Sequence, residues 1–239
     1  MVYLQIFLIG AWVAFACLLG CLMRLFFWGT DLNYYVSKWI WRGMMGLLHV
    51  RVRVENFEGI PRSPCVLVAN HQSALDLGVF GKMIPHRTLV IAKRELRWVP
   101  FLGWALWMGG NVFIHRKRRT KALAGMEVAL KKLKESQTRI WIFPEGTRRR
   151  SRDVRLLPFK KGAFHLAIDA QVPIVPIVAE SFEHIVDWRL KRAFHSGVIR
   201  IRVLDPVATS GLGAADVATL AETVRQKMLH ALDEFSNQG

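Results

Sequence analysis

Histidine and aspartate stand five positions apart in Asn-His-Gln-Ser-Ala-Leu-Asp (70–76), directly after the apolar run Cys-Val-Leu-Val-Ala. On an unbroken helix five residues put two side chains about 140° apart, so a wholly helical His71–Asp76 pair meets poorly. Ser73 and Asp76, however, fit the S-x-x-D pattern of a capping box, with Ser73 as N-cap and the helix beginning at Ala74. That leaves His71 on a strand-to-helix turn and lets the Asp76 carboxylate point back toward the imidazole. In such a dyad the aspartate fixes the histidine tautomer and the free ring nitrogen takes a proton from a hydroxyl. Taken alone, the stretch fits two readings, a helix cap with an incidental histidine and a base dyad.

A second stretch, Phe-Pro-Glu-Gly-Thr-Arg (143–148), also follows a β-branched run. Gly146 can adopt positive φ and let backbone N–H groups approach a ligand. Thr147 brings a hydroxyl, and Arg148 a guanidinium fork suited to phosphate. A plain turn leading into a solvated basic loop is the alternative reading. Open α/β sheets gather their sites at the C-terminal ends of strands, so two such corners suggest one cleft with a base and an anion site. Other chemistry is absent from the sequence. It has no G-x-S-x-G elbow, P-loop, G-x-G-x-x-G or H-E-x-x-H, and its histidines lack metal spacing. Cys65 opens an apolar strand and reads as core rather than nucleophile.

The elements that must carry these corners are legible after residue 50. Candidate strands are 50–56, 65–70, 88–92, 111–115, 139–143, 172–178 and 197–204, most of them β-branched runs bounded by Gly, Pro or charge. Leu123, Met126, Leu130 and Leu133 recur at helical spacing in 120–135. Val217, Leu220, Val224, Met228 and Leu232 do the same in 214–235, and both stripes read as core packing. The expected fold is α/β, a sheet covered by helices.

Residues 1–49 differ in kind. Tyr3–Met23 carries no charge, and as a helix it is roughly 30 Å long, about the thickness of a bilayer core. A cleaved signal peptide would want a basic start and a shorter apolar core. No Lys or Arg precedes Arg24, and the chain beyond stays apolar, so the segment reads as a retained membrane anchor. Tyr34, Tyr35, Trp39 and Trp41 then mix with Lys38 and Arg42, the composition of an interfacial helix. The expected division is 1–49, membrane-anchoring helices, and 50–239, the α/β domain. The net charge of +16 points to an anionic partner, and beside an anchor that partner is a lipid surface. Three cysteines, two of them within the apolar segment, give neither a disulfide framework nor a metal site.

The stretches 70–76, 91–116, 143–148 and 172–178, with Leu-Pro-Phe-Lys-Lys-Gly-Ala-Phe-His-Leu-Ala (157–167), together resemble the glycerolipid acyltransferase family, its 1-acyl-glycerol-3-phosphate acyltransferases above all. The blocks occur in family order over roughly 50–205. The resemblance implies a mixed sheet flanked by helices, and transfer of an acyl group from a thioester to the free hydroxyl of a lysophosphatidic acid, yielding phosphatidic acid. It implies His71 as general base held by Asp76, without a covalent acyl-enzyme. It further implies Arg116, Glu145, Gly146, Thr147 and Arg148 around the glycerol phosphate, and Lys93 beside the thioester oxyanion or the phosphate. Pro173 and Pro176 would shape the acyl side of the cleft. His115 departs from the pattern, since the family commonly has an acid before the arginine.

No cofactor or metal is implied. The co-substrate is an acyl thioester, of coenzyme A or of acyl carrier protein, and the partners are the bilayer and lysophosphatidic acid. The expected location is a membrane, the inner membrane with its domain on the cytoplasmic face in a bacterium, the endoplasmic reticulum in a eukaryote. The runner-up is an acyltransferase for another lysophospholipid. A membrane-tethered nucleic-acid binder would use the basic runs at 115–121, 147–152 and 190–192 but shows no groove-reading motif, so nucleic acid is not an expected partner. A purely structural membrane protein is the third alternative, for which loss of His71 should have no biochemical consequence.

Overall fold

The computed structural model describes residues 2–27, 31–115, 118–148, 155–183, 185 and 196–237. Two helices, α1 (Val2–Phe26) and α2 (Leu32–Leu47), precede a seven-stranded sheet. The strands are β1 (Val50–Glu55), β2 (Val66–Ala69), β3 (Thr88–Lys93), β4 (Val112–Ile114), β5 (Arg139–Ile142), β6 (Ile174–Ala179) and β7 (Gly197–Val203). Between and after them lie α3 (Asp76–Val79), α4 (Leu102–Met108), α5 (Arg119–Glu135), α6 (Gly162–Ala170) and α7 (Val217–Asn237). All seven expected strands are present, within two residues at either end.

The sheet order is β1-β7-β6-β2-β5-β3-β4, and each neighbouring pair is parallel except β6–β7. The sheet is therefore mixed. Because β2, β5, β3 and β4 all run the same way, their C-terminal ends open on one edge. The central strands β2, β5 and β6 are buried along their whole length, as strands sandwiched between helices must be, whereas the edge strand β1 alternates buried valines with exposed arginines. At and just before β2, Cys65, Leu67 and Ala69 join a core shared with α1 and α2, while Val66 and Val68 face the core of α5, α6 and α7.

The α1–α2 hairpin is cinched by small residues. A methyl group on Gly43 would fall 1.8 Å from the Trp12 indole, and one on Gly20 would fall 2.3 Å from Val36. Trp12 Nε1 also donates to the Trp39 carbonyl at 2.9 Å. Asn33 ties α2 to the sheet, donating to the carbonyls of Thr88 (2.9 Å) and Gly109 (3.0 Å) and accepting from Asn111 (2.7 Å). The two helices thus share one core with a face of the sheet.

One packing expectation fails. Leu123 is 54% exposed, whereas Ala129 and Leu133 of α5 are fully buried. The buried stripe is centred on Ala129 and Leu133, and Leu123, six residues before Ala129, lies about 120° around the helix from it. The α7 stripe of Val217, Leu220, Val224, Met228 and Leu232 is buried throughout.

Candidate active site

The corner after β2 is held by its neighbours on both sides. Asn70 continues the β2–β6 pairing with its side chain, donating to the Ala179 carbonyl (2.8 Å) and accepting from the Ala179 N–H (2.9 Å). Gln72 Nε2 donates to the carbonyls of Ala179 (3.0 Å) and Glu180 (2.8 Å). Between them His71 Nδ1 lies 2.5 Å from Asp76 Oδ2. The same oxygen accepts the N–H groups of Gln72 (2.8 Å) and Ser73 (3.1 Å). Phe143, at the next corner, stacks on the imidazole with centroids 4.3 Å apart.

The expected capping box is half formed. Asp76 accepts the Ser73 N–H, but the Ser73 hydroxyl accepts from Leu75 (2.9 Å), and the helix begins at Asp76 rather than Ala74. The aspartate is drawn back over the turn by its bonds to residues 71–73. A turn at Ala74–Leu75, not a helical turn, brings the two side chains together. Burial pushes the Asp76 carboxyl up from its ordinary value, opposed by the bond and charge of His71 and by the two N–H donors.

The corner after β5 divides into a buried and an exposed half. Glu145 is 3% exposed, and both its oxygens are taken by backbone donors, Oε1 by the His71 N–H (2.7 Å) and Oε2 by the Leu157 N–H (3.0 Å). Burial raises its carboxyl above the ordinary value against these bonds. An acceptor-only group so engaged ties the two corners together, one backbone donor on each oxygen. Gly146 does have positive φ (+68°), yet its N–H closes a turn onto the Phe143 carbonyl (3.1 Å). Its missing side chain makes room for Lys160, whose Cε would lie 2.7 Å from a Cβ there. Lys160 thus joins Thr147 and Arg148 at the exposed rim, a second cation there that the spacing of 143–148 did not reveal.

His71, Asp76, Lys93 and Arg148 line one cavity of about 350 Å³. Its remaining wall is mostly apolar and includes Cys17 of α1, Val36 and Ile40 of α2, and Ala105 and Leu106 of α4. Lys93, at the end of β3, stands 3.6 Å from Glu95. Arg116 lies outside the described residues, as does 190–192, while His115 follows β4 at the same sheet edge. Among the described residues no cluster of His, Cys, Asp and Glu could hold a metal. The Cys65 thiol is fully buried, and that burial pushes it up to about 12, which leaves it inert as a nucleophile.

A family model described as "Acyltransferase" matches residues 51–180, which span both corners and the strands that carry them. The chain belongs to the acyltransferase family. Human (Homo sapiens) 1-acyl-sn-glycerol-3-phosphate acyltransferase alpha is 45% identical over 194 residues, covering 81% of this chain and 68% of the human protein. The 1-acyl-sn-glycerol-3-phosphate acyltransferase of Haemophilus influenzae is 34% identical over 242 residues, covering 99% and 98% of the two chains. The crystal structure of the 1-acyl-sn-glycerophosphate (LPA) acyltransferase PlsC from Thermotoga maritima has a TM-score of 0.76 at 24% identity, covering 98% of this chain and 94% of that one. That likeness speaks for the fold, including the helices before β1.

Proposed function

We propose that this member of the family transfers an acyl group from an acyl thioester to the free hydroxyl of 1-acyl-glycerol-3-phosphate, giving phosphatidic acid. The observation that carries the reading is the His71–Asp76 pair at 2.5 Å, set at the wall of an apolar cavity that Lys93 and Arg148 also line. The names and coverage of the relatives support the acceptor.

With Nδ1 engaged by Asp76, Nε2 of His71 is the nitrogen left to take the hydroxyl proton. The lysolipid oxygen attacks the thioester carbonyl, the tetrahedral intermediate collapses with cleavage of the C–S bond, and the departing thiolate takes the proton back from the imidazolium. Asp76 stabilises that imidazolium and holds the ring's orientation. Lys93 supplies positive charge toward the developing oxyanion or the phosphate, while Thr147, Arg148 and Lys160 bind the phosphate at the rim. The apolar wall receives an acyl chain.

The chain works at a membrane in this reading. Among the described residues one helix, Tyr3–Phe26, is long and apolar enough to cross a bilayer, with mean hydropathy 2.5 and only 22% of its most apolar window buried. Purified chain supplied with a radiolabelled acyl thioester should label phosphatidic acid from lysophosphatidic acid. Faster labelling of another lysophospholipid would transfer the assignment to that acceptor, and no labelling of any would remove it.

A further inference from the structure

Sequence Leu-Gly-Trp-Ala-Leu-Trp-Met forms all of α4 and contains no charged side chain. A helix apolar all round belongs in a protein core or in lipid, yet α4 has only one face in the protein. Gly103 and Ala105 are buried, and Leu102, Ala105 and Leu106 line the cavity. On the other face Trp104 and Trp107, three residues apart, are 54% and 60% exposed. The 3₁₀ turn before it, Arg94–Trp98, adds Trp98, which is 79% exposed.

These indoles are held out by backbone geometry. The chain doubles back at Val99–Phe101, where Phe101 adopts φ +60°, and the Gly103 N–H donates to the Val99 carbonyl at 2.7 Å. A side chain on Gly103 would fall 2.2 Å from the Arg97 carbonyl oxygen, so only glycine lets the 3₁₀ turn and α4 close into this bracket. Phe101 packs edge-on against Trp104, with centroids 5.4 Å apart. Arg94 and Arg97, both exposed, flank the indoles. The bracket packs on α1, whose exposed residues include Phe7, Phe15, Leu18 and Leu22.

We infer that the Arg94–Met108 bracket is a second membrane-contacting element, which sets Trp98, Trp104 and Trp107 at the headgroup level of an anionic bilayer beside the cavity. The inference rests on the membrane reading of α1 given above. Three features select lipid as the occupant. Indoles favour the membrane–water interface, flanking arginines match anionic headgroups, and the apolar surface is continuous with the helix able to enter the bilayer. Through Leu102, Ala105 and Leu106 the same helix walls the cavity, so the contact would bring the cavity to the surface from which a lysolipid enters.

The test is nitroxide labelling of the full chain in phosphatidylcholine–phosphatidylglycerol vesicles. Labels go on Trp104→Cys and Trp107→Cys, on Phe7→Cys in α1, and on Glu222→Cys on the exposed face of α7. The native cysteines 17, 21 and 65 are buried, and each labelled chain is kept only if it still transfers acyl groups. The expected result is that the ratio of collisions with oxygen to those with a water-soluble nickel chelate is highest at 7, lowest at 222, and intermediate at 104 and 107. Lipid exposure at 7 with water exposure at 104 and 107 overturns the inference and spares the anchor. Water exposure at 7 as well overturns the membrane reading with it. Dipolar broadening between labels at 104, abolished by dilution with unlabelled chain, identifies a second copy as the occupant and also overturns it.

Discussion

The corners after β2 and β5 are adjacent, parallel in origin and opposite in construction. After β2 the polar groups are spent inside the protein, with Asn70 and Gln72 bonded to the end of β6 and Asp76 bonded to residues 71–73. After β5 only Glu145 is treated so, and Thr147 and Arg148 stand in solvent. A base must be held within a fraction of an ångström of one orientation, whereas a phosphate can be met by mobile cations at a rim. In the proposed reading this contrast puts chemistry at the first corner and binding at the second, with Glu145 bonded to the backbone of both His71 and Leu157.

Mutations should separate the corners in a graded way. The largest loss is expected for His71→Ala, about 10²–10⁴-fold in kcat with membrane association retained. Asp76→Asn should follow at about 10²-fold, because an amide at 2.5 Å no longer fixes the tautomer that leaves Nε2 free. A fall in KM-governed binding rather than in kcat for either variant would erase the distinction. Arg148→Ala should raise KM for lysophosphatidic acid about tenfold and leave kcat nearly intact, as expected for one charge-assisted contact at an exposed site. An unchanged KM would remove Arg148 from the phosphate.

Glu145→Ala strands two buried N–H groups, at about 1–3 kcal/mol each, and should lower Tm and kcat together while sparing KM. A raised KM with unaltered Tm would instead mark Glu145 as a substrate ligand. The smallest effect is in pH. Burial raises the folded Glu145 carboxyl, so its contribution to stability is fully present below its unfolded value of about 4.3 and is lost as pH rises through the folded value. The Tm of the wild-type chain minus that of Glu145→Gln should therefore fall with rising pH in that window, and a flat difference would contradict the assignment.

Most of the framework was legible because its signals are local. The β-branched runs 65–70 and 139–143 end at the two corners, and a continuous apolar stripe from Val217 to Leu232 needs no partner to be read. The His71–Asp76 pairing was accessible for the same reason, both residues lying in one turn. What escaped depends on distant chain. Glu145 contacts a backbone group 74 positions away, and Lys160 reaches Gly146 across the segment between β5 and α6. The buried face of α5 is set by how it meets the sheet, so a stripe drawn through Leu123 was rotated off it. That α2 and α4 wall the cavity follows from tertiary packing through Asn33 and Asn111, which sequence patterning does not encode.

The central claim is a division of labour between two corners of one cavity. It is tested most directly by measuring kcat and KM for lysophosphatidic acid with His71→Ala and Arg148→Ala in a single radiolabelled acyl-transfer assay. The account predicts that kcat collapses in the first with KM little changed, and that KM rises in the second with kcat little changed. Near-wild-type turnover by His71→Ala would contradict it.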